Sequence, residues 1–286
     1  QLRSSVPGLP FATVRAVIEA ELGAPLDELF LSVEPEPLAA ASIGVTHRAV
    51  LRDGRRVIVK VQRPGIEESV AVDGRVLVGG ARSLERQSAS ARRVGVVGLA
   101  RELVAGITEE LDFTHEATNN AVMRATRTAD DGVAFPEIFA DRTSRRVLVM
   151  DEVVGSPISD QAAVDATGVP RRELAGRLLD SFLGQILTDG VYHADPHPGN
   201  VLIDPEGTLW FIDFGAVGSI DPVTLEGLQQ LALGFNLKDP AILARAVRRI
   251  AGPAGENIDI TSLEFDIGVV LTDVQGGGFD PAAISE

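Results

Sequence analysis

The sequence has no cysteine among its 286 residues, which excludes disulfides, thiolate metal sites and thiol nucleophiles. Tryptophan and tyrosine occur once each, so Val, Leu, Ile, Ala and the 11 Phe must fill the core. Positive charge is scarce: 26 Lys and Arg stand against 41 Asp and Glu, a net charge of −15, with a pI near 4.7. A general binder of the phosphate backbone needs the opposite balance, so no nucleic-acid partner is expected. Nor does the charge give a broad attraction to anionic lipid. No apolar run approaches the ~20 residues that cross a bilayer, and no signal-peptide pattern is visible. The expected location is cytoplasmic, with peripheral membrane association left open. The chain opens at Gln1 and ends at Ser285-Glu286; it reads as a segment of a longer protein, and any anchor is expected outside it.

What is present suits a globular enzyme. The chain is 45% hydrophobic with mean hydropathy +0.15, enough for a bilobal enzyme or two modest domains. Phe11, Val14, Val17, Ile18 and Leu22 follow Pro10 at helical spacing, and Gly23 and Pro25 end that helix. The run Leu38-Ala39-Ala40-Ala41-Ser42-Ile43-Gly44 is rich in small residues. His47 to Leu51, the turn Asp53-Gly54 and Arg56 to Val61 read as a β-hairpin. Its second strand sets Lys60 by alternation among apolar neighbours. Pro64 to about Asn120 is helical in pattern, with breaks at Gly79-Gly80 and Arg92-Arg93. Two short apolar runs follow, and the second leads into Asp151-Glu152-Val153-Val154-Gly155 as a strand running into a connector. The lobe boundary is placed there, dividing the chain into 1–152 and 153–286. Leu174 to Leu187 forms an amphipathic helix that feeds His193-Ala194-Asp195-Pro196-His197-Pro198-Gly199-Asn200. A second hairpin, Val201 to Ile203 and Leu209 to Ile212, delivers Asp213-Phe214-Gly215. The remainder is helical with a glycine-rich exit at Gly276 to Gly278.

Phosphoryl transfer from ATP needs a cation on the phosphates, oxygen ligands for Mg²⁺ and a carboxylate near the acceptor. Kinase-type sites take them from a strand lysine, a helix glutamate, a loop Asp-x-x-x-x-Asn and an Asp-Phe-Gly. Val57-Ile58-Val59-Lys60, the Asp195/Asn200 pair five residues apart and Asp213-Phe214-Gly215 thirteen residues later supply that order. Singly, each has a plainer reading. Lys60 could be an edge-strand lysine reaching water, and Asp-Phe-Gly an ordinary turn. The loop around Asp195 resists such a reading, because two prolines fix two histidines, an aspartate and an asparagine between apolar segments. His193 and His197 lack a third neutral donor nearby and read as scaffold. Asn200 and Asp213 are hard oxygen ligands suited to Mg²⁺.

These motifs resemble the ABC1/ADCK/UbiB atypical kinases. The alanine-rich run with His47 after it looks like that family's replacement for a glycine-rich loop. Lys60-Val61-Gln62-Arg63-Pro64-Gly65 is similar to its lysine strand, and Glu110-Leu111-Asp112-Phe113, with Glu116 and Asn119 following, to its Glu-x-Asp helix. The likeness runs from about Leu2 to Ile250. It implies an α+β, bilobal protein-kinase-like fold, with a small antiparallel sheet and extra helices in the N-terminal lobe and a larger helical C-terminal lobe. It further implies that Lys60 holds the α/β-phosphates and pairs with Glu116. Ala39, Ala40, Ala41 and Ser42 would cover the nucleotide, and Met150, Asp151, Glu152 and Val153 would form the hinge that meets adenine. Asp195 takes the catalytic-aspartate role, Asn200 and Asp213 bind Mg²⁺, and Glu110 and Asp112 support the nucleotide site. Asp112 and Glu116, one helical turn apart, are expected to face the same cleft.

The sequence also departs from the family pattern. The family's Lys-x-Gly-Gln segment is expected ahead of the region where this chain starts and is not found in it, Val45-Thr46 stands in place of the usual Gln-Val, and no Ala-Pro-Glu follows Gly215; Asp221-Pro222 starts a helix almost at once. Alanine resists the positive φ that glycine adopts freely, so a stiffer covering loop is expected, and Ala41→Gly should alter ATP against ADP affinity. The implied function is a Mg-ATP-dependent atypical kinase or ATPase in isoprenoid quinone or prenyl-lipid metabolism, with a lipid or lipid-enzyme partner at a membrane surface. The alternatives are a nucleotide-dependent regulatory module without phosphotransfer and an aminoglycoside- or choline-kinase-like enzyme. The His-x-Asp-x-His-x-Gly-Asn loop fits the latter; the alanine-rich loop and the Glu110/Asp112/Glu116 helix do not.

Overall fold

The computed structural model describes residues 9–126 and 132–275; the glycine-rich exit at Gly276 to Gly278 lies outside them. The chain runs through α1 (Phe11–Leu22), α2 (Leu26–Leu29), β1 (Phe30–Val33), β2 (Ala39–Ala40), β3 (Gly44–Leu51) and β4 (Arg56–Gln62). Four helices follow: α3 (Ile66–Gln87), α4 (Ala89–Val94), α5 (Val96–Glu110) and α6 (Phe113–Ala125). Then come β5 (Val133–Ala134), β6 (Val147–Asp151), β7 (Ser156–Pro157), α7 (Gln161–Ala166) and α8 (Arg171–Gly184). The strands β8 (Val191–His193), β9 (Val201–Ile203), β10 (Leu209–Phe211) and β11 (Val217–Ser219) precede α9 (Pro222–Leu237), α10 (Pro240–Ile250) and α11 (Ile260–Gln275). The architecture is α+β with an antiparallel sheet. Contacts divide it into two compact units, residues 9–178 with 194–217, and residues 179–193 with 218–275.

The first unit is built on a five-stranded sheet of order β1-β3-β4-β6, with β2 added beside β3. Asp53-Gly54 closes the β3–β4 hairpin, Gly54 taking φ 90°, the left-handed region that glycine enters without a Cβ clash. Val57, Val59 and Val61 are wholly buried on one face of β4. They pack with Val14 and Ile18 of α1, and with Val147 and Val149 of β6. The opposite face carries Ile58, packed with Phe113, Leu148 and Met150. Lys60 therefore sits on a strand covered on both sides, which fixes where its ammonium emerges. Gly74 on α3 lets α5 approach closely: a Cβ there would meet the Val104 Cγ1 at 2.8 Å. A smaller sheet, β5-β10-β9-β7, carries the loop after Ala194.

The sequence pattern suggests one helix through Glu110 to Glu116, and the structure breaks it. The α5 helix ends at Glu110, Leu111 is buried, and Asp112 becomes the N-cap of α6, accepting from the Thr114 amide at 3.0 Å. An aspartate competes with backbone acceptors inside a helix and is favoured at its start.

The second unit is helical apart from its short strands. Asp221 caps α9, with Pro222 in its first turn, and Asp239 caps α10 in the same way. The helix expected to continue to Leu187 passes from α8 into a π-helical turn over Gln185–Asp189, closed by Gly190 at φ 67°. Among the described residues, no helix is long and apolar enough to cross a membrane.

Candidate nucleotide site

The centre of the first unit is an ion pair. Lys60 Nζ donates to Glu116 Oε1 at 2.5 Å and lies 3.6 Å from Asp213 Oδ2. The Lys60 and Glu116 side chains are 18% and 8% exposed, so both are held with little water to screen them. Burial alone would lower the pKa of Lys60, but Glu116 and then Asp213 outweigh it and hold the ammonium above its ordinary value. The ammonium is thus held charged, with its position set by the two carboxylates.

Glu116 also reaches the Asp213-Phe214-Gly215 segment, accepting from the Phe214 amide at 3.4 Å. Asn119, one turn further along α6, donates to the Phe214 carbonyl at 2.9 Å. Phe214 is wholly buried and meets Phe135 edge-on, with ring centroids 5.6 Å apart. Asp213 is thereby fixed by its neighbour on both the backbone and the side-chain side. Its Oδ1 accepts from the Gly215 amide at 3.0 Å.

The loop that begins at Ala194 returns to the same place. Its Ala194 amide donates to the Ala216 carbonyl at 2.9 Å, and the Ile212 amide donates to the Asn200 carbonyl at 3.0 Å. Asn200 Nδ2 donates to Asp195 Oδ2 at 3.0 Å, so the nitrogen end of the amide faces Asp195 and Oδ1 is the end left to meet a cation. His197 holds the loop's shape, its Nδ1 accepting from the Gly199 amide at 3.0 Å. His193, in β8, is buried in the second unit, with its amide donating to Gln185 Oε1 at 2.9 Å.

Lys60, Glu110, Glu116, Asp195, Asn200 and Asp213 all line one cavity of about 340 Å³, together with Ala41. Val61, Phe113, the residues Ile43 to Thr46 and Gly215-Ala216 complete its wall. Burial, and then the nearby Asp213 and Asp195 charges, push the Glu110 carboxyl above its ordinary value. Among the described residues no three acids or histidines are gathered closely enough to hold a metal by themselves; the Asp213 carboxylate and the Asn200 side-chain oxygen, both on this cavity, are hard oxygen donors of the kind Mg²⁺ takes one or two of, completing its shell with phosphate and water.

Several expected residues lie elsewhere. Ala39 and Ala40 form β2 and pair with Thr46 and Val45; of the alanine-rich run, Ala41 reaches the cavity wall and Ser42 stands in the turn beside it. Met150 is buried in the Ile58 cluster. The amides of Asp151 and Glu152 donate to the Glu137 and Arg56 carbonyls. The Glu152 carboxylate is gripped by the Nε atoms of Arg48 and Arg56, each at 2.8 Å. Asp112, expected to face the cleft with Glu116, instead caps α6 and is not part of the cavity wall. Hydrogen bonds from Thr114, outweighing the cost of burial, hold its carboxyl below the ordinary range.

Gln62, quoted above only as part of the lysine-strand motif, has a role that the motif does not convey. It is wholly buried and donates through Nε2 to the Leu111 and Arg145 carbonyls, tying the lysine strand to the linker between Glu110 and Glu116. An amide side chain two positions after the lysine, on a strand whose other core-facing residues are valine and isoleucine, is the available signal. A larger cavity of about 830 Å³ lies in the second unit, lined by Arg245, Arg248 and Arg249 among others. It contains none of the expected residues, and two of its arginines, Arg248 and Arg249, sit in the last turn of α10, where basic side chains suit the helix dipole.

A family model described as ABC1 atypical kinase-like domain matches residues 1–246. The chain is 37% identical over 252 residues to the protein ACTIVITY OF BC1 COMPLEX KINASE 8, chloroplastic, of Arabidopsis thaliana, covering 86% of this chain and 33% of that protein. It is 36% identical over 243 residues to the probable protein kinase UbiB of Marinobacter nauticus, covering 84% of this chain and 44% of that protein. The chain thus spans less than half the length of these two relatives. A solved structure of Rv3197 with erythromycin, from Mycobacterium tuberculosis, aligns with a TM-score of 0.63 at 26% identity, over 94% of this chain and 68% of that one.

Proposed function

We propose that this chain, which belongs to the ABC1 atypical kinase-like family, binds Mg-ATP in the cavity around Lys60 and transfers its terminal phosphoryl group to an acceptor or to water. The observation that carries this reading is the convergence of Lys60, Glu116 and Asp213 within 3.6 Å, in the same cavity as Asp195 and Asn200. Lys60 would hold the α/β-phosphates, its position fixed by Glu116. Asp213 and Asn200 would ligate Mg²⁺, which when bound neutralises charge between the phosphates. Asp195 would accept the proton of the attacking hydroxyl. The hinge would run through Val153, since the amides of Asp151 and Glu152 are already committed within the sheet. The lobe boundary is proposed at residues 152/153.

For the acceptor we propose a small or lipid-linked hydroxyl met at a membrane surface, with a place in prenyl-lipid or quinone metabolism; this rests on the family alone. The start of α9 at Pro222, seven residues after Gly215, leaves little chain for a peptide-docking platform. The test is ATP turnover by the wild type and Asp195→Asn, with and without prenyl-lipid vesicles. Turnover that lipid raises and Asp195→Asn abolishes supports phosphotransfer. Mg-ATP binding without any turnover or product would favour a nucleotide-dependent regulatory module.

A further inference from the structure

The alanine-rich hairpin is tied down by a residue outside it. The Arg63 amide donates to the Ile43 carbonyl at 2.9 Å, and the Arg63 guanidinium donates through Nε to the Ala41 carbonyl at 3.0 Å. Within the turn, the Ala41 amide donates to the Gly44 carbonyl at 2.8 Å. Gly44 lies flat on the neighbouring strand: a Cβ there would stand 2.5 Å from the Val61 carbonyl oxygen. Four backbone groups of the stretch from Ala41 to Gly44 are therefore committed, two of them to Arg63. Ala41, Ile43 and Gly44 also line the cavity that holds Lys60.

We infer that Arg63 is a positioning residue that latches this turn over the cavity and presets it for a phosphate-bearing ligand. In a trans peptide the N–H points opposite to the C=O. With the Ala41 carbonyl drawn to Arg63, the Ser42 amide is turned away from the arginine and becomes a donor for a phosphate oxygen. A glycine-rich cover finds this orientation on binding and loses backbone freedom in doing so. Here the latch fixes it beforehand, and it does so three residues after Lys60, so strand, lysine and cover move as one body. The plainer reading is an arginine that only caps a hairpin at the surface. That reading predicts no effect on ligand binding.

This inference rests on the nucleotide reading above for its ligand but not for the latch itself, and the experiment separates the two. Hydrogen exchange of the amides from Ala41 to Gly44 is measured without nucleotide in the wild type, Arg63→Lys, Arg63→Gln and Arg63→Ala. Mg-ATP affinity is then measured by calorimetry on the same proteins. Loss of one charge-assisted hydrogen bond should speed exchange in the turn about tenfold in Arg63→Ala. Arg63→Lys and Arg63→Gln, which keep a donor, should fall between, and Mg-ATP should bind about tenfold more weakly to Arg63→Ala. Turn exchange that stays at the wild-type rate overturns the latch. Faster exchange with unchanged Mg-ATP affinity overturns the presetting. Should Arg63→Ala not fold, the graded Lys and Gln variants decide by the same two readouts. Should wild type bind no Mg-ATP, the proposed function fails while the exchange series still judges the latch.

Discussion

Removing either partner of the Lys60–Glu116 pair should cost much more than removing both. The two side chains are 18% and 8% exposed and 2.5 Å apart. Glu116→Leu leaves the Lys60 ammonium with Asp213 at 3.6 Å as a remaining partner. Stranding a buried charge costs about 3–5 kcal/mol, and the remaining contact and the partial exposure of Lys60 place this case at about 3 kcal/mol. Lys60→Met strands the more deeply covered Glu116 and should cost at least as much. The double variant Lys60→Met/Glu116→Leu replaces the pair by apolar groups and should recover all but about 1 kcal/mol. The chain carries its own probe, because its one tryptophan, Trp210, lies in the same unit, with its indole N–H donating to Asp204 at 2.8 Å. Urea unfolding followed by Trp210 fluorescence should show each single variant shifted down by about 1–3 M in midpoint, at a slope of about 1–3 kcal/mol/M. Additive losses, with the double variant worse than either single, would refute the claim that the two charges share one buried site.

Other predictions follow from single contacts. Gly44→Ala places a Cβ 2.5 Å from the Val61 carbonyl oxygen, and a backbone atom cannot step aside as a side chain can. It should destabilise the hairpin by about 1–3 kcal/mol and weaken Mg-ATP binding measured by calorimetry. Asp112→Ala removes the cap of α6 and should lower stability by about 1 kcal/mol in the same urea assay, with the Mg-ATP affinity little changed, because Asp112 stands outside the cavity wall. Glu110 has its folded pKa raised by burial and by Asp213 and Asp195. Its contribution to stability is therefore present below its unfolded pKa and is lost as pH rises through the folded one. At neutral pH its charge opposes the fold, so Glu110→Gln should raise thermal stability slightly, by roughly 0.5 kcal/mol after solvent screening. The gain should vanish below about pH 4 and shrink when Mg²⁺ is added at neutral pH.

Much of the frame was legible where local chemistry and tertiary structure agree. Asp53-Gly54 forced the β3–β4 hairpin, and alternation along Val57 to Val61 set Lys60 on a defined face. Gly23 took the left-handed conformation that ended the first helix. The chemistry-bearing residues were legible because their order along the chain is unusual, and the structure gathers Lys60, Glu116, Asp195, Asn200 and Asp213 around one cavity. What escaped depends on distant partners. The break at Leu111-Asp112 is held by Gln62 on β4 and by Arg145 in the loop ahead of β6. Spacing alone reads Asp112 and Glu116 as neighbours on one helix. The short strands β5 and β7 have two residues each and form through pairing with β10 and β9, so no local pattern announces them. Phe214 is fixed by Asn119 and Phe135, contacts that span the chain and leave no periodic trace.

The central claim, that ATP phosphates bind against Lys60, has a direct chemical test because the chain contains two lysines, Lys60 and Lys238. An acyl-phosphate derivative of ATP acylates an amine held beside its bound phosphates, and the labelled lysine can be read by peptide mass spectrometry. The account predicts label on Lys60, suppressed by excess Mg-ATP and reduced in Asp213→Asn, with Lys238 unaffected by either. Equal labelling of the two lysines, or Lys60 label indifferent to Mg-ATP, would contradict it.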